Sequence, residues 1–448
     1  MSRIFRRLVS PLVTVFIGCG AALFIVWWSV TNGHAEQRSQ PGLLLGAAPL
    51  VGRNSADGWH WRFGWSMALA VLLAAAVVVS HHRAWWFRVR FRYVAAATGA
   101  GATSFAVLLA LTDGADGLTY GAKHPTEYLA NLSSAPPAGE FVRTFVDRAN
   151  DYSVHVRGHP PGFILMLKAM DGIGLAGVWP LVVLIGISCG VVAVAVMLTI
   201  HLWVGEEWAR RVAPFLIISP SAIWMVTSAD AVFSMFGAVG LLVTTYGVYR
   251  RPPRALLIGS ASGVLLGWLV FLTYLGAIFS VIPIVIVIVA VVRREPGAFA
   301  VGLSGLIGGL AVLFAFRALG FWLLDGVDVT KREYLEGSAQ FRDWNYFKVG
   351  NIGAAIIALG PSTAIGLASL RNRRLWWIVA AAGAALLISH FTQYTKAEVE
   401  RIWLPYYPWL IVASAGVWVF GRRWLVTSII AIQALSAIVL QAALLTKW

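Results

Sequence analysis

About thirteen apolar runs, near 8–31, 63–80, 93–112, 178–202, 212–228, 231–249, 255–273, 276–292, 299–323, 350–370, 375–391, 405–420 and 424–446, take up most of this chain. Each supplies roughly the twenty residues that cross the hydrocarbon of a bilayer. A chain of this pattern must satisfy its backbone internally at every crossing, which leaves helices packed side by side. The expected fold is an all-α polytopic membrane protein with about 13 transmembrane helices. Composition removes the soluble alternative: charged residues are 12% of the chain and hydrophobic residues 59%, where a soluble domain carries about 25% charged residues. The net charge of +15 sits in short arginine clusters between the runs, where loop orientation accounts for it, so nucleic acid is not an expected partner. Cys19 and Cys189 lie inside apolar runs and offer neither a disulfide framework nor a metal cluster. The start, MSRIFRR followed by apolar residues to Val30, is too long for a signal peptide and lacks a small-residue cleavage site, so it reads as a retained first span.

The segments between the runs sort by charge. Arg3, Arg6 and Arg7, the stretch 81–92, Arg210 and Arg211, 249–254, Arg293 and Arg294, 371–374, and Arg422 and Arg423 all fall on one side when the spans alternate. The positive-inside rule makes that side the cytoplasm, the N-terminus included, in a plasma membrane. The alternation holds only if residues 161–176 do not cross. They are short for a span and contain Lys168 and Asp171, which are costly at mid-depth, so an interfacial or re-entrant helix is expected there. The acid-bearing segments 32–62, 113–177, 228–230, 324–349 and 392–404 then face outward. Residues 1–92 form two leading helices with a basic cytoplasmic loop, and 93–448 form the core, with 113–177 as its first outer loop.

Residues 113–163 interrupt the apolar pattern with acids, bases, histidines and turn-formers, and this loop is the expected seat of any chemistry. After the Pro136-Pro137 breaker, Phe141, Phe145 and Val146 share one helical face, as in an amphipathic helix resting on lipid. Glu127, flanked by His124 and Tyr128, is the first candidate for a general base; the bland reading is a solvated glutamate. Asp113 and Asp116 supply an alternative base, or oxygen ligands for a divalent cation as the one cofactor considered; the pair also fits a helix end and turn. Arg157 and His159, just before two prolines, suit a phosphate or an interfacial snorkel. Arg401, with Lys396, Glu398 and Glu400 at the mouth of a span, suits a phosphate or a structural ion pair with Glu400. Asp230 fits a helix cap better than catalysis. The aromatic and cationic residues of 325–351 suit sugar rings and phosphates, or an interfacial belt. His81 and His82 suit contact with anionic lipid.

The order of an apolar span, an acid-bearing outer loop, an amphipathic helix and His159-Pro160-Pro161-Gly162 opening a short helix resembles the membrane glycosyltransferases of the C superfamily. Thr126-Glu127-Tyr128-Leu129-Ala130 resembles the acidic element of that family's first outer loop, with the tyrosine directly after the acid. Pro220 with Ser228-Ala229-Asp230 resembles the next outer turn, and Glu398 to Pro405 resembles an Arg-x-x-x-Pro element before a late span. EVERIWLPYYPWL is most similar to actinobacterial, including mycobacterial, members that mannosylate or arabinosylate envelope glycolipids. The resemblance spans residues 93–448; the first two helices depart from the minimal pattern. It implies transfer of mannose, or arabinofuranose, from a polyprenyl-phosphate donor to an envelope glycolipid or polysaccharide acceptor at the outer face, with inversion. In that reading Glu127 or an aspartate takes the acceptor's proton, and Arg401 and Arg157 hold the phosphate. A transporter or flippase of envelope precursors is the rival. Scarce ionisable residues inside the spans argue against it.

Overall fold

The computed structural model describes residues 11–39, 50 and 61–444. Expectations resting on Arg3, Arg6 and Arg7, on most of the 32–62 loop and on the last residues of the final span lie outside that set. The described chain is all-helical, as expected of a polytopic membrane protein. In order, the helices used below are α1 (Pro11–Ser39), α2 (Trp65–His82), α3 (Phe91–Ala110), α4 (Ala138–Thr144), α5 (Val154–Arg157), α6 (Gly162–Gly172), α7 (Val178–Trp203), α8 (Glu206–Ile217), α9 (Asp230–Val248) and α10 (Arg254–Leu272). They continue with α11 (Leu275–Val292), α12 (Ala298–Ala318), α13 (Leu323–Glu336), α14 (Trp344–Leu359), α15 (Pro361–Ser369), α16 (Arg373–Phe391), α17 (Val399–Ile402), α18 (Tyr407–Ile411) and α19 (Arg423–Ala443).

Ten helices among the described residues are long and apolar enough to cross a membrane. The difference from about thirteen lies in three runs that are broken. The run 212–228 becomes α8, which contains Pro214, and then a 3-10 turn that starts at Pro220. The run 350–370 becomes α14 and α15, bent by 96° at Gly360, whose φ of +78° favours glycine. The run 405–420 becomes α18 followed by 3-10 turns over Val412–Phe420. Hydropathy registers length, whereas prolines and glycines decide whether that length is one helix.

A break inside an apolar layer frees backbone groups that lipid cannot satisfy. Here Gln433 of α19 does so: its Oε1 accepts from Ser362 N at 3.0 Å and its Nε2 donates to Leu359 O at 2.9 Å. Ser362 and Ser414 hydroxyls lie 3.0 Å apart beside it. Gln433→Leu takes the acceptor away from the buried Ser362 N–H, while Leu359 O keeps the Thr363 hydroxyl at 3.1 Å, and is expected to cost about 1–3 kcal/mol. An unchanged thermal midpoint in detergent would show that the bend is held otherwise.

The closest helix pair is α10 with α12. Gly259, Gly263 and Gly267 repeat every fourth residue along α10, and Gly263 has no room for a side chain: a Cβ there would lie 2.0 Å from Gly305 O. Small residues at that spacing let helix backbones approach, which is how apolar helices gain contact in lipid. Gly263→Val is expected to force α10 and α12 apart and sharply lower the yield of monodisperse protein, read by size-exclusion chromatography. An unaltered elution profile would argue against that contact.

The two leading helices are packed into the body. Tyr346 of α14 donates to Ser29 O of α1 at 3.1 Å and stacks with Trp28, while α2 lies against α3 and α19. One end of the bundle carries arginine-rich turns, where Arg210 donates to Trp86 O and Trp203 donates to Arg374 O. The loop 113–177 lies at the other end.

Two expectations are corrected there. Phe141 and Phe145, on and just after α4, are fully buried against Tyr152 and Phe321, so the apolar face of this helix packs on protein and not on lipid. His81 is buried edge-on against Trp418 instead of lying at a lipid surface. For Phe141 and Phe145, periodicity identified an apolar surround without saying whether protein or lipid supplies it. Residues 161–176 do form a short helix, α6, of 11 residues.

Candidate functional site

Glu127 stands at the start of a 3-10 turn, Tyr128–Asn131, that a single carboxamide fixes. Asn131 Nδ2 donates to Glu127 O at 3.2 Å and to Ser153 Oγ at 2.6 Å, and its Oδ1 accepts from Ser153 N at 2.9 Å. The turn is thereby tied to the start of α5, and His155 N donates to Thr126 O at 3.3 Å. His155 Nε2 then lies 3.4 Å from Glu127 Oε1. The ring of Tyr128 packs edge-on against Phe163 and beside His159, whose Nδ1 donates to His155 O at 2.8 Å. A carbonyl only accepts, so neutral His159 carries its proton on Nδ1 and presents Nε2 as an acceptor.

This arrangement leaves the Glu127 side chain only 17% exposed. Burial raises its pKa to about 7; Arg401 pulls the other way, while Asp230 and Glu398 push with the burial. Burial lowers the pKa of His155, and Arg401 adds to that. Burial also lowers His159, with Asp230 opposing and Arg401 adding. The result is a carboxyl poised near neutrality among neutral imidazoles, which is the protonation range a general base or a proton carrier uses.

Beside it lies a buried ionic lattice that joins three separate segments. Arg401 of α17 contacts Asp230 Oδ2 at 3.2 Å and Glu398 Oε2 at 2.6 Å. Arg342 contacts the other oxygen of Glu398 at 3.3 Å and donates to Lys396 O at 3.1 Å. Ser228 Oγ completes Asp230 at 2.5 Å. Burial alone would raise Glu398, but Arg401 and Arg342 overrule it and hold it at about 2. Burial works against the charge of Arg401, yet Glu398, Asp230 and Glu127 raise its pKa. Ala397 and Glu398 adopt left-handed backbone at φ +77° and +56°, a strained corner that turns the Glu398 carboxylate back toward Arg401.

Of the residues singled out in the sequence, the fold brings Glu127, Tyr128, His159, Asp230 and Arg401 together. Others stand apart from that cluster. Asp113 is held by the Arg62 guanidinium, which also bonds Gln441 O at 2.8 Å, so this pair ties the end of α3 to the end of α19. Asp116 is an exposed carboxylate 3.7 Å from Lys123. Among the described residues no group of three or more His, Cys, Asp or Glu is placed to hold a metal ion. Arg157 gives its charge to Glu333 at 2.5 Å. His124 bonds Thr126 Oγ1 at 2.7 Å, and Lys396 lies over the Tyr334 ring, its pKa lowered chiefly by burial. Glu400 is fully buried in α17. Asp230 does not cap its helix, because Ala229 is the capping residue and the carboxylate turns to Arg401 and Ser228. Residues 325–351 lie largely on α13 and α14 and not in an outer loop; there Tyr346 is buried and Trp344 packs against His390, while Phe341 between the helices is exposed.

His155 escaped sequence reasoning, and so did the pairing of Arg342 with Glu398. His155 has the i, i+4 spacing to His159 that puts both on one helical face, and Glu398 stands at i−3 to Arg401, so both carried a local signal. Arg342 carried none, since its partner is 56 positions away.

Fold and site together define an all-helical, multi-pass membrane protein with a buried ionisable cluster at one end of its bundle. No family model matches the chain. It is similar over 103 residues, at 32% identity, to the biotin transporter BioY of Rhodobacter capsulatus, a match that covers 22% of this chain and 46% of BioY. The chain thus spans less than half the length of that relative.

Proposed function

We propose that the chain is a polyprenyl-phosphate-sugar-dependent glycosyltransferase of the plasma membrane, with the Glu127 end of the bundle on the outer face. The observation that carries this reading is Glu127 itself, largely shielded from water, shifted to about 7 and 3.4 Å from His155 Nε2. In this reading Glu127 takes the proton of an acceptor hydroxyl as that oxygen attacks the anomeric carbon, and the bond to the phosphate breaks with inversion. Arg401 faces the departing phosphate, its position set by Asp230 and Glu398. The isoprenoid tail has a matching channel: a largely apolar groove of about 590 Å³ lined by residues of α9 to α12, among them Leu266, Phe271, Ala277 and Leu310. Phe271, at one end of it, packs on Gly162 at the start of α6, three residues from His159. Mannose is the first expected sugar and arabinofuranose the second.

Two observations favour a transporter as the second reading, namely the 96° break between α14 and α15 and the partial similarity to BioY. A direct comparison separates them. Purified protein in nanodiscs is given radiolabelled polyprenyl-phosphate mannose or arabinofuranose together with an envelope lipid extract. Transfer of either label supports the transferase. Neither donor consumed, with uptake of a solute into proteoliposomes, rejects it in favour of transport.

A further inference from the structure

A second cleft, of about 320 Å³, opens between the segment after α4 and α13, and neither the base nor the phosphate site accounts for it. Asp147, Asn150, Arg157, Arg332, Glu333 and Glu336 line it, over Val329. Its size is at the lower end of the ~300–1,000 Å³ typical of small-molecule sites. Arg157 and Glu333 neutralise each other within the wall at 2.5 Å. That leaves Asp147 and Glu336 as acceptors and Arg332 and Asn150 as donors on the same cleft. A phosphate entering it would meet two carboxylates, and an ammonium would meet Arg332. A neutral polyol meets no such conflict, because each of its hydroxyls donates to a carboxylate and accepts from a guanidinium or carboxamide. The cleft also shares α5 with the Glu127 site. Arg157 closes the cleft from one side of this single turn, and His155, two residues earlier, touches Glu127.

We propose that this cleft binds the neutral carbohydrate headgroup of the acceptor, as a mono- or disaccharide unit, and so sets which glycolipid presents its hydroxyl to Glu127. The assignment to an acceptor rests on the transferase reading; the carbohydrate binding does not. Asn150 and Glu336 are exposed, so replacing both leaves packing intact, and Glu127→Gln serves as a control outside the cleft.

The test is ligand-observed saturation-transfer NMR on full-length protein in nanodiscs, with methyl mannopyranoside, methyl arabinofuranoside and phosphoethanolamine as probes. Wild type and Glu127→Gln are expected to bind at least one glycoside alike, and Asn150→Ala/Glu336→Ala to bind it about tenfold more weakly, for two lost hydrogen bonds. Equal glycoside signals from wild type and the double variant, or tighter binding of phosphoethanolamine than of both glycosides, would overturn the proposal. Kinetics separate it from the reading it rests on. Sugar transfer with an unchanged acceptor KM in the double variant removes the cleft and keeps the transferase. Glycoside binding lost in the double variant, with no transfer from either donor, keeps the cleft and removes the transferase.

Discussion

Glu127→Gln is expected to lower sugar transfer by about 10²–10⁴-fold, the usual contribution of a positioned general base, while the protein remains folded. The glutamine keeps the size of the carboxyl and removes the proton acceptor. In wild type the base must be deprotonated, so turnover should rise with pH through about 7, where burial has moved this carboxyl. Asp113→Asn and Asp116→Asn belong in the same assay, because these acids face Arg62 and Lys123 and not the cluster. Full activity in Glu127→Gln, with loss in either aspartate variant, would move the base to the end of α3.

The same substitution makes a thermodynamic prediction that needs no substrate. The folded protein holds a proton on Glu127 between its unfolded value near 4.5 and about 7, where the unfolded chain has already released it. The contribution of this group is therefore present in full below about 4.5 and is lost as pH rises through about 7, by about 3 kcal/mol at 1.36 kcal/mol per unit. His155 and His159 act in the opposite direction. Their depressed values mean that stability falls as pH drops through the ordinary histidine range, when the unfolded chain gains their protons. The difference between Glu127→Gln and wild type isolates the carboxyl, and the thermal midpoint of the variant should overtake that of wild type between pH 5 and pH 8. A gap that does not widen with pH would mean that Glu127 is not buried.

Arg401→Leu should be the most destabilising single change at this end of the bundle, at about 3–5 kcal/mol. Leucine leaves the buried Asp230 carboxylate with Ser228 and the mostly shielded Glu398 carboxylate with Arg342. Most of the cost is therefore the uncompensated charge of the partners, and adding Asp230→Asn and Glu398→Gln should recover a large part of it. Arg401→Lys is not a conservative substitute, because one ammonium on a flexible stem does not reproduce a fork that engages two carboxylates with separate nitrogens. Thermal unfolding of the single, double and triple variants in detergent checks this. Independent, additive costs would show that these groups do not form one network.

The sequence by itself determined the all-helical, multi-pass class, because a backbone that crosses lipid has no other way to satisfy its hydrogen bonds. It also marked 113–163 as the polar interruption and Glu127 within it, since an acid, histidines and turn-formers stand out against apolar runs. It did not determine how many runs stay straight, because Pro214, Pro220 and Gly360 break helices whose hydropathy is continuous. Nor did it separate Asp113 from Glu127. Both are loop carboxylates near an apolar span, and only folding gives one Arg62 and the other His155. In the lattice of Asp230, Arg342, Glu398 and Arg401, the Glu398–Arg401 pair is local, and tertiary structure alone brought Asp230 and Arg342 to it. Asp230 and Arg401 are 171 positions apart, and the charge that each carboxyl carries depends on which cations and how little water surround it, which no local pattern encodes.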